Sequence, residues 1–289
     1  MARMGFIDSL QKGWGFLKAA FRMAGENKRL LLPSLYQVLI SITYFIALVM
    51  LLIAVDPRWS NGTWAVFGIV ATFVSFLIFY FFNGVTVNMI DVHLKGGAPS
   101  LKEGMADAGK NIVAIMWLSL VSTIVDLFAR AARDNDSIVG KIIAGIVEAV
   151  WTTLSFLLLP AIIIEDAGFG QAMRRVRDLH KGHMLLVGVG EVGVRGITGL
   201  IGLVWFLVTF GVVYVALDTI GGNAGLVIAI VGGGTLFALF VAFSTYVRMA
   251  YYTCLYLWAA DVEAKGQDAP APLPLAIALG HSTVGRRAA

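Results

Sequence analysis

The chain has 289 residues, of which 58% are hydrophobic and only 14% are charged. A soluble globular domain carries about 25% charged and about 45–50% apolar residues. With a mean hydropathy of +0.82, this composition excludes an ordinary soluble domain and predicts an integral membrane protein. The net charge of +4 is interpreted as loop lysines and arginines that set membrane orientation, so no nucleic-acid partner is expected.

Residues 1–29 are predicted to form an amphipathic helix that lies in the membrane interface. On a helical wheel the apolar side carries Phe6, Leu10, Trp14, Leu17 and Phe21. The opposite side carries Lys12, Lys18 and Arg22, which would face anionic lipid headgroups. A helix packed on the rest of the protein is the alternative, and the two arrangements are compatible.

Six apolar runs are long enough to cross a bilayer, which takes about 20 residues. They are residues 30–55, 64–90, 112–128, 138–164, 197–217 (extending back to 184 in one interpretation) and 225–260. Because the runs are continuous, helices are predicted and not barrel strands. The fold class is therefore all-α: a polytopic protein with a six-helix transmembrane domain over residues 30–263 and a flexible tail over residues 264–289.

The links between the runs predict three hairpins. Short turn sequences join each pair of runs: Asn61-Gly62, Asp134-Asn135-Asp136 and Gly221-Gly222-Asn223. The longer links and the termini hold most of the lysines and arginines. By the positive-inside rule, both termini and the long links are predicted to lie in the cytoplasm.

The long links also resemble one another. The segment 91–99 after the second run resembles 261–270 after the sixth, and 165–168 takes the same place after the fourth. A short amphipathic interfacial helix is predicted after the second run, where Ser100 and Glu103 have capping-box spacing, and another from Phe169. The unit recurs about three times in one orientation, through duplication or through convergent use of helix-end chemistry.

Two segments carry a family resemblance. They are Phe156-Leu-Leu-Leu-Pro160-Ala-Ile-Ile-Ile-Glu165 with Gly168-Phe169-Gly170-Gln171-Ala172-Met173-Arg174-Arg175, and Phe82-Asn83 with Gly96-Gly97-Ala98-Pro99 and Gly104. In these motifs the chain resembles a widespread family of uncharacterised prokaryotic six-span membrane proteins, a domain of unknown function. The resemblance covers nearly the whole chain except the tail. It implies a multi-pass protein of the prokaryotic inner or plasma membrane and leaves the activity open.

Polar side chains inside the apolar runs are the candidate functional residues, because buried charges in a bilayer are costly. They are Glu148, Glu191, Arg195, Asp126, Asn83 and Asn88. Asp126 can pair with Arg130, and Glu191 with Arg195, since each pair is spaced four residues apart. Glu148 lies closest to the middle of a span. A structural salt bridge or interhelical hydrogen bond is its favoured interpretation; a proton or ion role and exposure to a water-filled crevice are the alternatives.

A glycine series opens the fifth run. Gly188-x-Gly190-x-x-Gly193 has the spacing of a dinucleotide-binding loop, but it leads into a membrane span and not into a βαβ unit. The series recurs every third residue, at Gly190, Gly193, Gly196, Gly199 and Gly202. These glycines are predicted to admit a neighbouring helix, above all at Gly196 and Gly199.

Signals for catalysis are weak throughout the sequence. No segment combines a nucleophile, a base and an orienting group, and the single cysteine, Cys254, makes a cysteine metal cluster impossible. No enzyme activity, cofactor or metal is therefore predicted. The favoured function is a structural, accessory or oligomer-forming membrane component, with lipid and a second copy or another membrane protein as partners. The alternative is a small-solute or ion transporter or channel that uses Glu148, Glu191 and Arg195.

Overall fold

The computed structural model describes residues 6–54, 60–134, 137–266 and 269–278, and gives the backbone alone for residues 6–10, 180–195, 197 and 278. All regular structure in these ranges is helical, which confirms the predicted all-α class. The helices are α1 (Phe6–Glu26), α2 (Leu32–Ala54), α3 (Asn61–Leu94), α4 (Leu101–Lys110), α5 (Ile112–Asp134), α6 (Ile138–Ile164), α7 (Phe169–Val215), α8 (Gly222–Lys265) and α9 (Leu273–Ala278). A 3₁₀ turn precedes α2, and a π-helical turn follows α7.

Six helical stretches are long and apolar enough to cross a membrane, and each overlaps one of the predicted runs. They are Lys28–Ala54, Asn61–Leu94, Ile112–Asp134, Ile138–Ile164, Thr198–Ile220 and Gly222–Lys265. Only 6% to 39% of the apolar window in each stretch is buried inside the protein. Most of this apolar surface therefore faces outward, as it does when lipid is the solvent. Length and composition together indicate a multi-pass membrane protein.

α7 corrects the prediction of a separate amphipathic helix from Phe169. The chain is helical without a break from Phe169 to Val215, a length of 47 residues. At 1.5 Å per residue this is about 70 Å, which is more than twice the thickness of the hydrocarbon core. The basic segment and the fifth span form one helix because no proline or turn-forming cluster lies between them.

Helix ends follow the local sequence. Ser60 Oγ accepts a hydrogen bond from the Thr63 N–H at 3.2 Å and begins α3. Gly96 and Gly266, with φ of +81° and +91°, stand just past the ends of α3 and α8. Ser100 does precede α4, but its side chain makes no capping hydrogen bond, so the predicted capping box is not formed.

The described chain divides into two compact units, and the first of these is Tyr36–His180. In this unit α3 contacts α4, α5 and α6. The buried residues of α3 concentrate towards its Leu94 end. We call this end of α3, together with the start of α5 and the end of α6, the connector end. A Cβ added at Gly84 would lie 3.0 Å from Ile163 Cδ1, so α3 and α6 approach closely there.

The second unit comprises Met1–Leu35 and Lys181–Ala289. In it α1 packs on α8 and α9. The Phe16 ring meets Tyr251 edge to face at 5.3 Å, and the Tyr246 hydroxyl donates a hydrogen bond to the Ala20 carbonyl at 3.2 Å. The face of α1 that packs on the protein is thus centred on Phe16 and Ala20.

The structure places the apolar residues predicted for α1 on different sides of the packed face. Trp14 and Phe21 are 46% and 67% exposed, whereas Leu17 is buried beside Phe16 and Ala20, which are fully buried. The side chains of Phe6 and Leu10 lie outside the described residues. The placement of this face in the membrane interface stays a prediction.

The predicted flexible tail also needs correction. α9 lies within it, and Leu275 is buried. The Trp258 indole N–H donates to the Ala269 carbonyl at 3.1 Å, which ties the chain before α9 to α8. The described part of the tail is therefore packed on the protein at Ala269 and Leu275, which are both buried.

We expect leucine at Gly104 to destabilise the protein and leucine at Gly109, on the same short helix, to leave it intact. A Cβ at Gly104 would lie 3.0 Å from Val85 Cγ1 and 3.3 Å from the Val85 carbonyl, whereas Gly109 has nothing within 4 Å. Overpacking at Gly104→Leu should lower the free energy of unfolding by about 1–3 kcal/mol. Gly109→Leu should be neutral or stabilising by up to about 1 kcal/mol, because leucine favours helix. Thermal unfolding of both variants in detergent checks this, and equal melting temperatures would contradict the close packing of α4 on α3.

Candidate functional site

Glu148 forms an ion pair with the neighbouring helix. Its Oε2 lies 2.6 Å from Arg133 Nη1, which joins α6 to the last turn of α5. Glu148 is ten residues, or about 15 Å, along α6 from its start. The Arg133 and Glu148 side chains are 41% and 35% exposed, so the pair lies at the surface of the protein and not in its core. In an apolar span, an arginine from the adjacent helix neutralises the carboxylate. The structure therefore shows the interhelical salt bridge that the sequence favours for Glu148.

Asp126 pairs within its own helix. Its Oδ2 lies 2.8 Å from Arg130 Nε, one helical turn along α5. This is the ion pair expected from the four-residue spacing. The carboxylate is mostly buried and the arginine is mostly exposed.

The two asparagines of α3 serve different contacts. Asn83 is fully buried, and its Nδ2 donates to Gln37 Oε1 on α2 at 3.3 Å and to the Phe79 carbonyl at 2.8 Å. Its Oδ1 is buried and has no hydrogen-bond partner among the described residues. Asn88 Nδ2 donates to Asp107 Oδ2 at 3.0 Å and so binds α4 to α3.

A polar contact among three helices was missed at the sequence level. The Tyr80 hydroxyl of α3 lies 2.8 Å from Ser122 Oγ of α5, and the Trp151 indole N–H of α6 donates to the same Oγ at 2.9 Å. Single serines, tyrosines and tryptophans do not stand out in an apolar run. The available signal was the small polar face of α5, where Ser119, Ser122 and Thr123 recur at helical spacing.

At the connector end, polar side chains tie four segments together. Asp107 of α4 accepts from Asn88, and Asn111 Nδ2, just before α5, donates to Asp166 Oδ1 at 2.8 Å. Arg175 Nε of α7 donates to Glu165 Oε1 at 2.9 Å. Asn88, Asp107, Asn111 and Asp166 form what we call the connector cluster.

An open cavity of about 740 Å³ lies beside the connector cluster. The first turns of α5 and α7 form its walls, and its lining includes Lys110, Asn111, Trp117, Asp166, Gln171 and Arg174. Its volume lies within the range of small-molecule sites, about 300–1,000 Å³. Among the described residues no group of three or more His, Cys, Asp and Glu side chains could hold a metal ion.

Comparison with known protein families gives one match. The model of a family of unknown function, DUF6159, matches residues 62–266, which is more than half of the chain. The chain belongs to DUF6159. This confirms the resemblance to a membrane-protein family of unknown function. No curated protein and no solved structure matches the chain.

The DUF6159 match covers every candidate polar residue named from the sequence. For two of these residues the structure describes the backbone and not the side chain. The side chains of Glu191 and Arg195 lie outside those that the structure describes, as do the surroundings of Gly190 and Gly193. The pairing of Glu191 with Arg195 therefore stays a prediction. Their backbone lies within the continuous helix α7.

Among the glycines of α7 predicted to admit a neighbouring helix in this DUF6159 protein, Gly202 makes the close contact and Gly199 does not, while the role of Gly196 stays a prediction. Nothing described lies within 4 Å of a Cβ added at Gly199, and Gly196 is half-buried. A Cβ added at Gly202 would lie 2.9 Å from Phe240 Cζ of α8. Each three-residue step turns the position by about −60°, so only part of such a glycine ridge can face one partner.

α7 and α8 keep this contact over more than one turn. The Trp205 indole N–H donates to the Leu236 carbonyl at 2.8 Å, and the Trp205 ring stacks on Phe240 at 6.3 Å. A Cβ added at Gly233 of α8 would lie 2.6 Å from Val213 Cγ2. Glycines on both helices therefore permit the approach, as small residues do between membrane helices.

Leucine at Gly202 and at Gly199 should separate a packing glycine from an outward-facing one. We expect Gly202→Leu to lower the free energy of unfolding by about 1–3 kcal/mol, because its side chain would displace Phe240. Gly199→Leu should leave the melting temperature unchanged or raise it. Gly233→Leu and Gly234→Leu form a second matched pair, since Gly234 has nothing within 4 Å. Melting curves in detergent are the measurement, and a destabilised Gly199→Leu beside an unchanged Gly202→Leu would contradict the assignment.

Proposed function

We propose that this DUF6159 protein is a non-catalytic component of the membrane that acts through assembly, with further copies of itself or with another membrane protein. The ion pair between Glu148 and Arg133 carries this proposal. Both charges neutralise each other across α5 and α6 at 2.6 Å. A carboxylate held in this way stabilises helix packing, whereas one that exchanges protons or ions needs access to its cargo.

The alternative is a transporter or channel that uses Glu148, Glu191 and Arg195. It requires Glu148 to leave Arg133 during the cycle. The pair connects helices that also share the Trp151 contact to Ser122, so opening it would loosen the packing of α5 on α6. The structural role is therefore the better supported of the two.

The same proposal includes an orientation for the chain. We infer that the connector end faces the cytoplasm of a prokaryotic cell, with both termini on that side and the spans paired as three hairpins. The support is the charge distribution: Lys95, Lys102, Lys110, Arg174, Arg175 and Arg177 all belong to the connectors. α1 would lie at the same interface, where exposed Trp14 and Phe21 suit the headgroup region.

A charge exchange at Glu148 tests the structural role. We expect Glu148→Gln and Arg133→Gln each to lower the melting temperature, because each leaves one charge unpaired at depth. The double variant Glu148→Arg with Arg133→Glu should recover much of the loss, since the pair is restored with reversed polarity. The measurement is thermal unfolding in lipid nanodiscs. Native mass spectrometry in the same nanodiscs should show more than one copy of the chain or a co-purified membrane protein.

Ion flux separates the structural role from transport. Proton and cation flux through vesicles that contain the protein should be the same for wild type and Glu148→Gln. A flux that Glu148→Gln abolishes while the melting temperature stays unchanged would overturn the structural role in favour of transport. The matched control is Asp126→Asn, which breaks an ion pair within one helix.

The orientation is tested with introduced cysteines. Cys254 is buried, so a Cys254→Ala background leaves the chain without a thiol. Asn61→Cys and Asn223→Cys should react with a membrane-impermeant maleimide on intact cells. Lys102→Cys should react only after the membrane is opened. The reverse pattern would invert the orientation, and labelling of all three sites on intact cells would contradict the span assignment.

A further inference from the structure

The cavity at the connector end has a polar part and an apolar part. The polar part combines two cations, Lys110 and Arg174, with the amides of Asn111 and Gln171. The apolar part consists of Val113, Trp117 and Val121 of α5. A site of this composition matches an amphiphile better than a wholly polar solute.

Charge in the polar part is suited to a monoanion. The lining contains the cations Lys110 and Arg174 and one carboxylate, Asp166. Asp166 already accepts a hydrogen bond from Asn111. Lys110 Nζ lies 3.7 Å from Asp107 Oδ1, and the Lys110 side chain is 72% exposed. No carboxylate of the described residues pairs with the Arg174 guanidinium. A phosphodiester carries a single negative charge and accepts hydrogen bonds from both cations.

The apolar part continues the cavity along α5 into the span. Val113, Trp117 and Val121 follow one another at four-residue spacing, so they line one face of the helix over about 12 Å. Val113 and Trp117 are 64% and 53% exposed. This is the path that an acyl chain would take from a headgroup at the start of α5. Trp117, five residues into the helix, lies at the depth where tryptophan marks the membrane interface.

Asp166, at the rim of the cavity, has a positive φ although it is not a glycine. The ends of α3 and α8 use Gly96 and Gly266 for the positive φ that follows the helix. After α6 the positive φ is held by Asp166, at φ 49°. A glycine would adopt it more readily, but it would not supply the carboxylate that holds Asn111 at the cavity.

We propose that this cavity binds a membrane phospholipid, with the phosphodiester between Lys110 and Arg174 and one acyl chain along Val113, Trp117 and Val121. The first turn of α7 adds backbone N–H groups, which favour an anion. Gly168, Gly170 and Gln171 of this turn line the cavity, and Gln171 Oε1 accepts a hydrogen bond from the Gly168 N–H at 3.1 Å. The site does not depend on the structural role proposed above.

A photoreactive lipid tests the site. The full chain is reconstituted in nanodiscs with phosphatidylglycerol that carries a diazirine in its acyl chain, because the phosphodiester is the only charge of this headgroup, and labelled peptides are mapped by mass spectrometry. We expect the label on residues 112–121. Lys110→Gln with Arg174→Gln should lower this labelling about fivefold for each cation removed, the effect of about 1 kcal/mol per charge. The control variant Lys102→Gln with Arg177→Gln removes the same charge from connector residues outside the cavity and should label like wild type.

Two further variants and one competition measurement complete the test. Arg174→Gln alone leaves the pair of Lys110 with Asp107 intact and should still lose about fivefold, so a folding defect in the double variant does not block the test. Trp117→Ala should shift the label away from residues 112–121. Inorganic phosphate at millimolar concentration should not displace the label. Unchanged labelling in Arg174→Gln would overturn the proposal, and full displacement by inorganic phosphate would assign the cavity to the free anion.

Discussion

A bilayer offers no hydrogen-bond partners to a polar group, so a polar group in a span is stabilised when it finds a partner inside the protein. The backbone meets this requirement by forming helices throughout the described chain. Many hydroxyl groups meet it in the same way. Thr86, Ser119, Thr123 and Thr253 each donate to the carbonyl one turn earlier in their own helix. These residues are satisfied without a neighbouring helix and so say little about which helices pack together.

The polar groups that do reach across helices therefore carry the specificity of packing. Ser122 receives contacts from both Tyr80 and Trp151, and this one hydroxyl relates three helices. The ion pair of Glu148 with Arg133 is a second contact between α6 and α5, and it lies in the last turn of α5. Apolar side chains pack equally well against lipid and protein, so a few such contacts can select one helix arrangement from many. Glycines let two helices approach closely, and the helices then make with each other the dispersion contacts that they would otherwise make with lipid.

Features that depend on one segment could be predicted from the sequence, and features that depend on several could not. The six spans follow from continuous apolar runs, and the pair of Asp126 with Arg130 follows from four-residue spacing. The partner of Glu148 lies 15 positions away on another helix, so spacing within α6 could not identify it. The helical wheel grouped Trp14 with Leu17, although Leu17 is buried and Trp14 is exposed, because hydrophobicity cannot distinguish a face that meets protein from one that meets lipid. Likewise, periodicity found the glycine ridge but could not show which glycine faces α8.

The ends of α3, α6 and α8 resemble one another in sequence but differ in their ion pairs. At the ends of α3 and α8 an acidic residue pairs with a lysine one turn later, Asp91 with Lys95 and Asp261 with Lys265, and a glycine follows. The end of α6 breaks this pattern. Glu165 forms its ion pair with Arg175 of the following helix, because the residue one turn after Glu165 is not a lysine. That pair anchors the start of α7 beside the end of α6, and the adjacent Arg174 lines the cavity. The end of α6 therefore differs from the ends of α3 and α8 in the ion pair that it forms and in the residues beside it that line the cavity.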